Sequence, residues 1–172
     1  MIAAVHRLPR ERTSYVGIDG YGGAGKTTLA AAVALAVPDV VVIHVDDFAA
    51  PQLPGWDWAR FERQVAAPLR ADRPARYQRW AFERNEGAEW RDVPTGRIVV
   101  IEGVSSTRRE VGVAWDLQIW LDAPLSTWLA RARARDGEQM MARWLEDWIP
   151  SENAYVADQR PQERVDLIVQ SS

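Results

Sequence analysis

The chain contains no cysteine, which excludes disulfide cross-links, thiolate metal sites and a cysteine nucleophile. It has no apolar run near the ~20 residues that a membrane span requires. Residues 1–13 carry Arg7, Arg10, Glu11 and Arg12 and lack the apolar core of a secretory signal. A large excess of one charge sign is also missing. The net charge is −3, which argues against nonspecific binding to nucleic acid or to a membrane surface. These absences predict a cytoplasmic protein without nucleic-acid or membrane partners. At 172 residues the chain is long enough for one full core, so one domain is expected over 1–172, with 1–13 as an N-terminal arm.

Lysine is nearly absent as well. Of 21 basic side chains all but Lys26 are arginine. That lysine lies inside Gly20-Tyr21-Gly22-Gly23-Ala24-Gly25-Lys26-Thr27, which fits the phosphate-loop pattern G-x-x-x-x-G-K-[ST] at every fixed position. A compact ammonium on a flexible stem reaches between phosphate oxygens inside a tight loop, where a planar guanidinium does not fit. Tyr15–Asp19 reads as a buried strand ending at the loop, and Thr27–Leu35 as an alanine-rich helix leaving it. Strand, loop and helix N-terminus together aim backbone N–H groups at an anion. Residues 20–28, Thr28 included, are therefore the expected nucleoside-triphosphate site.

Further along, Val40–Val45, Arg97–Ile101, Asp116–Leu121 and Val165–Val169 read as buried strands. Trp58, Phe61, Val65 and Leu69 mark one face of a helix over 57–71, with Asp57 as its cap and Arg73-Pro74 as its stop. Pro124 opens a helix through Arg135, followed by two short helices near 138–148 and 151–159. Residues 75–95 are polar and aromatic without periodicity, and read as an excursion of short strands and loop on the substrate side. Five apolar strands alternating with helices predict an α/β fold, a parallel sheet with ligands at the strand C-terminal ends. Of nine tryptophans, Trp58, Trp115, Trp120, Trp128, Trp144 and Trp148 fall on apolar phases and are expected in the core. Trp56, Trp80 and Trp90 are candidates for stacking on a base.

Three strand ends suit phosphoryl transfer. The first enters the loop, the second runs into Asp46-Asp47-Phe48, and the third ends at Glu102-Gly103. Mg²⁺ between phosphates needs hard oxygen ligands: the Thr27 hydroxyl with acidic groups, Asp46 and Glu102, acting directly or through water. A carboxylate near an acceptor hydroxyl can also take its proton. The aspartates taken alone could equally cap a turn.

These motifs, read together, resemble the uridine kinase and nicotinamide-riboside kinase branch of the P-loop kinases. The likeness rests on Ile18 through Thr28, His44 through Phe48 and Ile101-Glu102-Gly103. It extends to Arg131-Ala132-Arg133-Ala134-Arg135-Asp136, similar to the family's arginine-bearing lid (about 128–148), and to Arg160-Pro161 through Val169, similar to its closing strand. The resemblance implies ATP and Mg²⁺ as cofactors, Asp46 as base on a 5′-hydroxyl and Glu102 as the group assisting the metal. Within 75–95 the chain offers Tyr77, Arg79, Trp80 and Arg84 for substrate contacts, joining Asp46, Asp47 and Phe48, but departs from the family's full recognition pattern. Its lid is also shorter. Arg131 and Arg135, four apart on one helix face, join Lys26 as groups able to neutralise the transferred phosphoryl. The alternative places them on a solvated face paired with Asp136 and Glu138.

Three functions fit the residues. The first is an ATP-dependent kinase for a nucleoside or nucleoside-like hydroxyl. The second is a kinase for a nucleoside monophosphate, a pantothenate-like vitamin or an antibiotic, and the third is a non-catalytic nucleotide-binding module regulating a partner. A proton acceptor facing a separate substrate pocket separates the first two from the third.

Overall fold

The computed structural model of the chain describes residues 1–50, 55–81 and 84–171. A short helix α1 (Ile2–His6) precedes strand β1 (Ser14–Asp19), helix α2 (Lys26–Ala36) and strand β2 (Val40–His44). Part of the N-terminal arm is thus a helical turn. Its Val5 is completely buried against the α2 side of the sheet, and that burial fixes the segment.

Next come α3 (Trp58–Phe61) and α4 (Ala67–Arg70), joined without interruption by a π-helical turn over Glu62–Ala66. Asp57 caps this helix by accepting from the Arg60 N–H at 2.9 Å. Pro68 has no N–H to donate and would press on the carbonyl one turn earlier; widening that turn removes the conflict.

Strands β3 (Ala75–Ala81) and β4 (Glu86–Val93) form an antiparallel hairpin, the excursion anticipated from sequence, although residues 82–83 lie outside the described residues. Then follow β5 (Ile98–Glu102), β6 (Leu117–Asp122), α5 (Leu125–Asp136), α6 (Met141–Arg143), α7 (Ile149–Gln159) and β7 (Leu167–Gln170). A second π turn, Trp144–Trp148, links α6 to α7 and ends two residues before Pro150. The two separate helices expected around that proline are therefore one continuous helical path, because the π turn absorbs it.

β1, β2, β5, β6 and β7 pair in parallel in the order β2-β5-β1-β6-β7. β1 and β5 are buried along their whole length, as a parallel sheet covered on both faces requires. Side chains alternate between the faces. Tyr15, Val99 and Ile101 meet Phe61, Val65 and Leu69 and the hairpin's Tyr77. Val16, Ile18, Ile98 and Val100 meet Ala30 and Val33 of α2. Register then sets the chemistry: Glu102 lies beside Ile18 on one side and His44 on the other, so the ends of three strands reach one level beside the loop.

Trp120, Trp128 and Trp144 are core residues. Trp58, Trp115 and Trp148 are only partly buried against the core. Trp115 precedes β6 in an irregular stretch, where strand alternation has no hold on it. No helix among the described residues is long and apolar enough to cross a membrane.

Candidate active site

Between β1 and α2 the backbone turns tightly. Gly23 adopts a φ of 78°, and a Cβ there would lie 2.5 Å from the Trp128 carbonyl oxygen, so this position accepts only glycine. Lys26 is 7% exposed and folds back across the loop to donate to the Tyr21 carbonyl at 2.7 Å. Burial lowers its pKa, while the carboxylates of Glu152, Asp19, Glu102 and Asp46 work in the other direction. Backbone N–H groups with one ammonium across them form an anion cradle.

The entry to that cradle is fixed by Asp19, which the motif reading passed over. Completely buried, its carboxylate accepts from the Gly20, Ser105 and Thr107 N–H groups, from the Thr107 hydroxyl at 2.7 Å and from the Tyr155 hydroxyl at 2.7 Å. A charge at the end of an otherwise apolar strand was the available signal.

Beyond the loop, the Thr27 hydroxyl donates to Glu102 Oε1 at 3.0 Å. His44 Nδ1 meets the same oxygen, and this bond raises the imidazole pKa. No cluster of three or more acidic, histidine or cysteine side chains suited to a metal occurs among the described residues. Thr27 and Glu102, with Asp46 nearby, thus offer a few hard oxygens, the donor set for a cation that keeps waters and phosphate oxygens as its other ligands.

Asp46 and Asp47 are adjacent in sequence and opposite in circumstance. Asp46 is exposed to the cleft. The crowding walls and then the charge of Glu102 raise its pKa, against Lys26, His44 and Arg135. Asp47 is 3% exposed, accepting from the Tyr77 hydroxyl at 3.0 Å and from Arg79 Nε at 2.7 Å. Together with Arg79, Trp80, Arg84 and Glu89 they line a cleft of about 370 Å³.

Two expected substrate contacts are corrected. Phe48 is fully buried, packed on Phe61 and Tyr77 with Arg60 over its ring. Tyr77 is 1% exposed and spends its hydroxyl on Asp47. Both support the cleft from below, since the apolar underside of the hairpin needs a core. Among the stacking candidates Trp80 lines the cleft. Trp56 donates to the Val104 carbonyl, and Trp90 lies beneath Arg76.

The α5 arginines diverge in use. Arg135 pairs with Asp136 at 2.7 Å and stands over the Trp144 ring, while sensing the charge of Asp46. Arg133 pairs with Glu138. Arg131 donates to the Ala24 carbonyl and to the Ser171 hydroxyl. It borders a second pocket of about 420 Å³ with Gly25, Thr28, Leu29, Ala32 and Val169. The phosphate loop therefore lies between a polar cleft and a largely apolar pocket. This second pocket had no sequence signal, because its walls come from α2, β6, α5 and β7, which are far apart in the chain.

No protein-family model and no curated protein sequence matches the chain. Solved structures do. A possible uridine kinase from Bacillus stearothermophilus superposes with a TM-score of 0.75 at 20% identity, covering 97% of this chain and 94% of that one. A candidate fructose transport system kinase from Silicibacter sp. TM1040 gives 0.75 at 22% identity, over 95% and 91%. With its phosphate loop at the end of the central strand of a five-stranded parallel sheet, the chain has the fold of the P-loop kinases.

Proposed function

We propose that the protein transfers the γ-phosphoryl group of ATP to a hydroxyl of an uncharged nucleoside or nucleoside-like small molecule. One observation carries the reading: Asp46 opens onto a cleft separate from the pocket on the other side of the phosphate loop. A binding-only module has no use for a proton acceptor aimed into a second cavity.

The apolar pocket beside Gly25 and Thr28 suits a flat nucleobase, and the loop suits the phosphates. Thr27 and Glu102, with Asp46, would hold Mg²⁺, which would offset phosphate charge. Asp46 takes the proton of the acceptor hydroxyl as that oxygen bonds to the γ-phosphorus and the bond to the departing ADP oxygen breaks. Its raised pKa makes it a better proton acceptor than an ordinary carboxylate. Lys26 stays with the phosphates and neutralises charge on the leaving group.

The cleft's cations are already partnered: Arg79 with Asp47 and Glu89, and Arg84 with Glu86. That arrangement favours an uncharged acceptor over a nucleoside monophosphate, whose phosphate would have to draw Arg79 away from the buried Asp47. A thermal-shift screen of nucleosides, monophosphates and vitamins with Mg²⁺ and a nonhydrolysable ATP analogue identifies the acceptor by mass action, and product formation with ATP checks it. Tight ATP binding without phosphorylation of any acceptor, coupled to altered affinity for a partner protein, would replace the kinase by the regulatory module.

A further inference from the structure

Glu152, in the first turn of α7, is a buried charged group that the reaction above does not use. It is 7% exposed and reaches the phosphate loop itself, where its Oε2 accepts from the Gly22 N–H at 2.9 Å. This is its one hydrogen bond among the described residues. Burial pushes its pKa up. The Gly22 N–H and Lys26 favour its charge, while Asp19 and Asp46 oppose it. Gly22 leaves no slack in the contact: a Cβ there would lie 2.4 Å from the Trp144 ring and 2.9 Å from Glu152 Oε1. The same helix holds the neighbouring loop positions. Asn153 accepts from the Tyr21 hydroxyl at 3.2 Å, and Tyr155 donates to Asp19 at 2.7 Å.

A loop N–H that meets a carboxylate oxygen meets the same chemistry that a phosphate oxygen would bring. The two anions cannot share one N–H in a site of low dielectric without strong repulsion. A carboxylate with one hydrogen bond, buried at a cost and beside two others of its own sign, is readily displaced. We infer that Glu152 is an internal anion that fills the phosphate loop at Gly22 and must swing away before a triphosphate seats. The inference rests on the loop being the nucleotide site. Glu152 thereby sets a competition at the loop: nucleotide affinity equals the cradle's intrinsic affinity reduced by the hold of this carboxylate. Because Trp144 and Glu152 meet the loop at the same glycine, its release also loosens the 141–159 segment there.

The test is calorimetric titration of a nonhydrolysable ATP analogue with Mg²⁺ into the wild type, Glu152→Gln and Glu152→Ala. Glutamine keeps the shape and an acceptor oxygen but removes the charge; alanine removes the competitor altogether. Both variants should bind the analogue more tightly, by about tenfold, the scale of one charged hydrogen bond. If one variant does not melt cooperatively, the other decides. Unchanged or weaker binding by the folded variants, with the wild type binding normally, makes Glu152 a brace of the loop and overturns the inference alone. Absence of analogue binding in all three proteins overturns the nucleotide reading together with it.

Discussion

The two cavities beside the phosphate loop are built on opposite principles. On the hairpin side, the cleft of about 370 Å³ is a mesh of charges, with Arg79 held by Asp47 and Glu89 and Asp47 held in turn by Tyr77. On the α2 side, the pocket of about 420 Å³ is walled by Leu29, Ala32, Leu121 and Val169, with polar groups at its edge. Rigid hydrogen-bonding walls reject a ligand that lacks the matching group by several orders of magnitude, whereas apolar walls discriminate weakly. Under the kinase reading, selectivity therefore resides with the acceptor, and tolerance with the nucleotide base.

The variant with the largest expected effect erases both sides at once. Lys26→Ala should leave the ligand-free melting temperature near that of the wild type yet remove most triphosphate affinity and, on the order of 10³-fold, turnover. Lys26→Arg should not rescue it, because the planar head does not fit the loop. Normal ATP titration of either variant would remove the loop from the site.

Asp46→Asn acts on the cleft side only. Turnover with the best acceptor should fall by roughly 10²-fold, at the low end for a general base because phosphoryl transfer asks little of one. The nucleotide affinity from titration should survive. Simultaneous loss of both would make Asp46 a loop-structuring or metal-holding group.

Next in size is Arg79→Gln, which releases Asp47 and Glu89. Steady-state kinetics should show the acceptor KM raised by about tenfold with nucleotide KM unchanged, and an equal rise in both would erase the distinction between the cavities. The smallest effect belongs to the apolar side. Arg131→Ala gives up the bonds to Ala24 and Ser171 and should raise nucleotide KM by roughly two- to fivefold, leaving the acceptor KM where it was.

How much of this was legible in the sequence follows from how far apart the cooperating residues lie. The loop and its flanking strand and helix are contiguous, so one pattern reveals them, and the strands announce themselves by apolar runs. Asp46 and Glu102 stand out as candidates because a parallel sheet sends the C-terminal ends of its strands to one edge. Glu152 does not, because it meets Gly22 across 130 residues, and no local pattern marks a glutamate in a helix as facing a loop. Phe48 reads as a ligand contact because an aromatic beside an acidic motif serves equally as wall or as foundation, and Tyr77 because it lies in the polar, aromatic stretch 75–95; only the packing of Phe48 on Phe61 and on Tyr77 shows both to be foundation. The path from α6 into α7 was divided at Pro150, since a sequence shows the proline but not the widened turn that accommodates it.

Lys26 has one more consequence. It is the chain's only side-chain amine, and its burial beneath the loop lowers its pKa, which enlarges the neutral, nucleophilic fraction at a given pH. An acylating reagent small enough to enter the loop therefore has a single lysine to modify, and a bound anion that draws the ammonium to itself quenches that reactivity. Under the kinase reading the protein thus contains its own occupancy gauge: the share of molecules gaining one acyl mass on Lys26 reads out the share of phosphate loops without bound nucleotide.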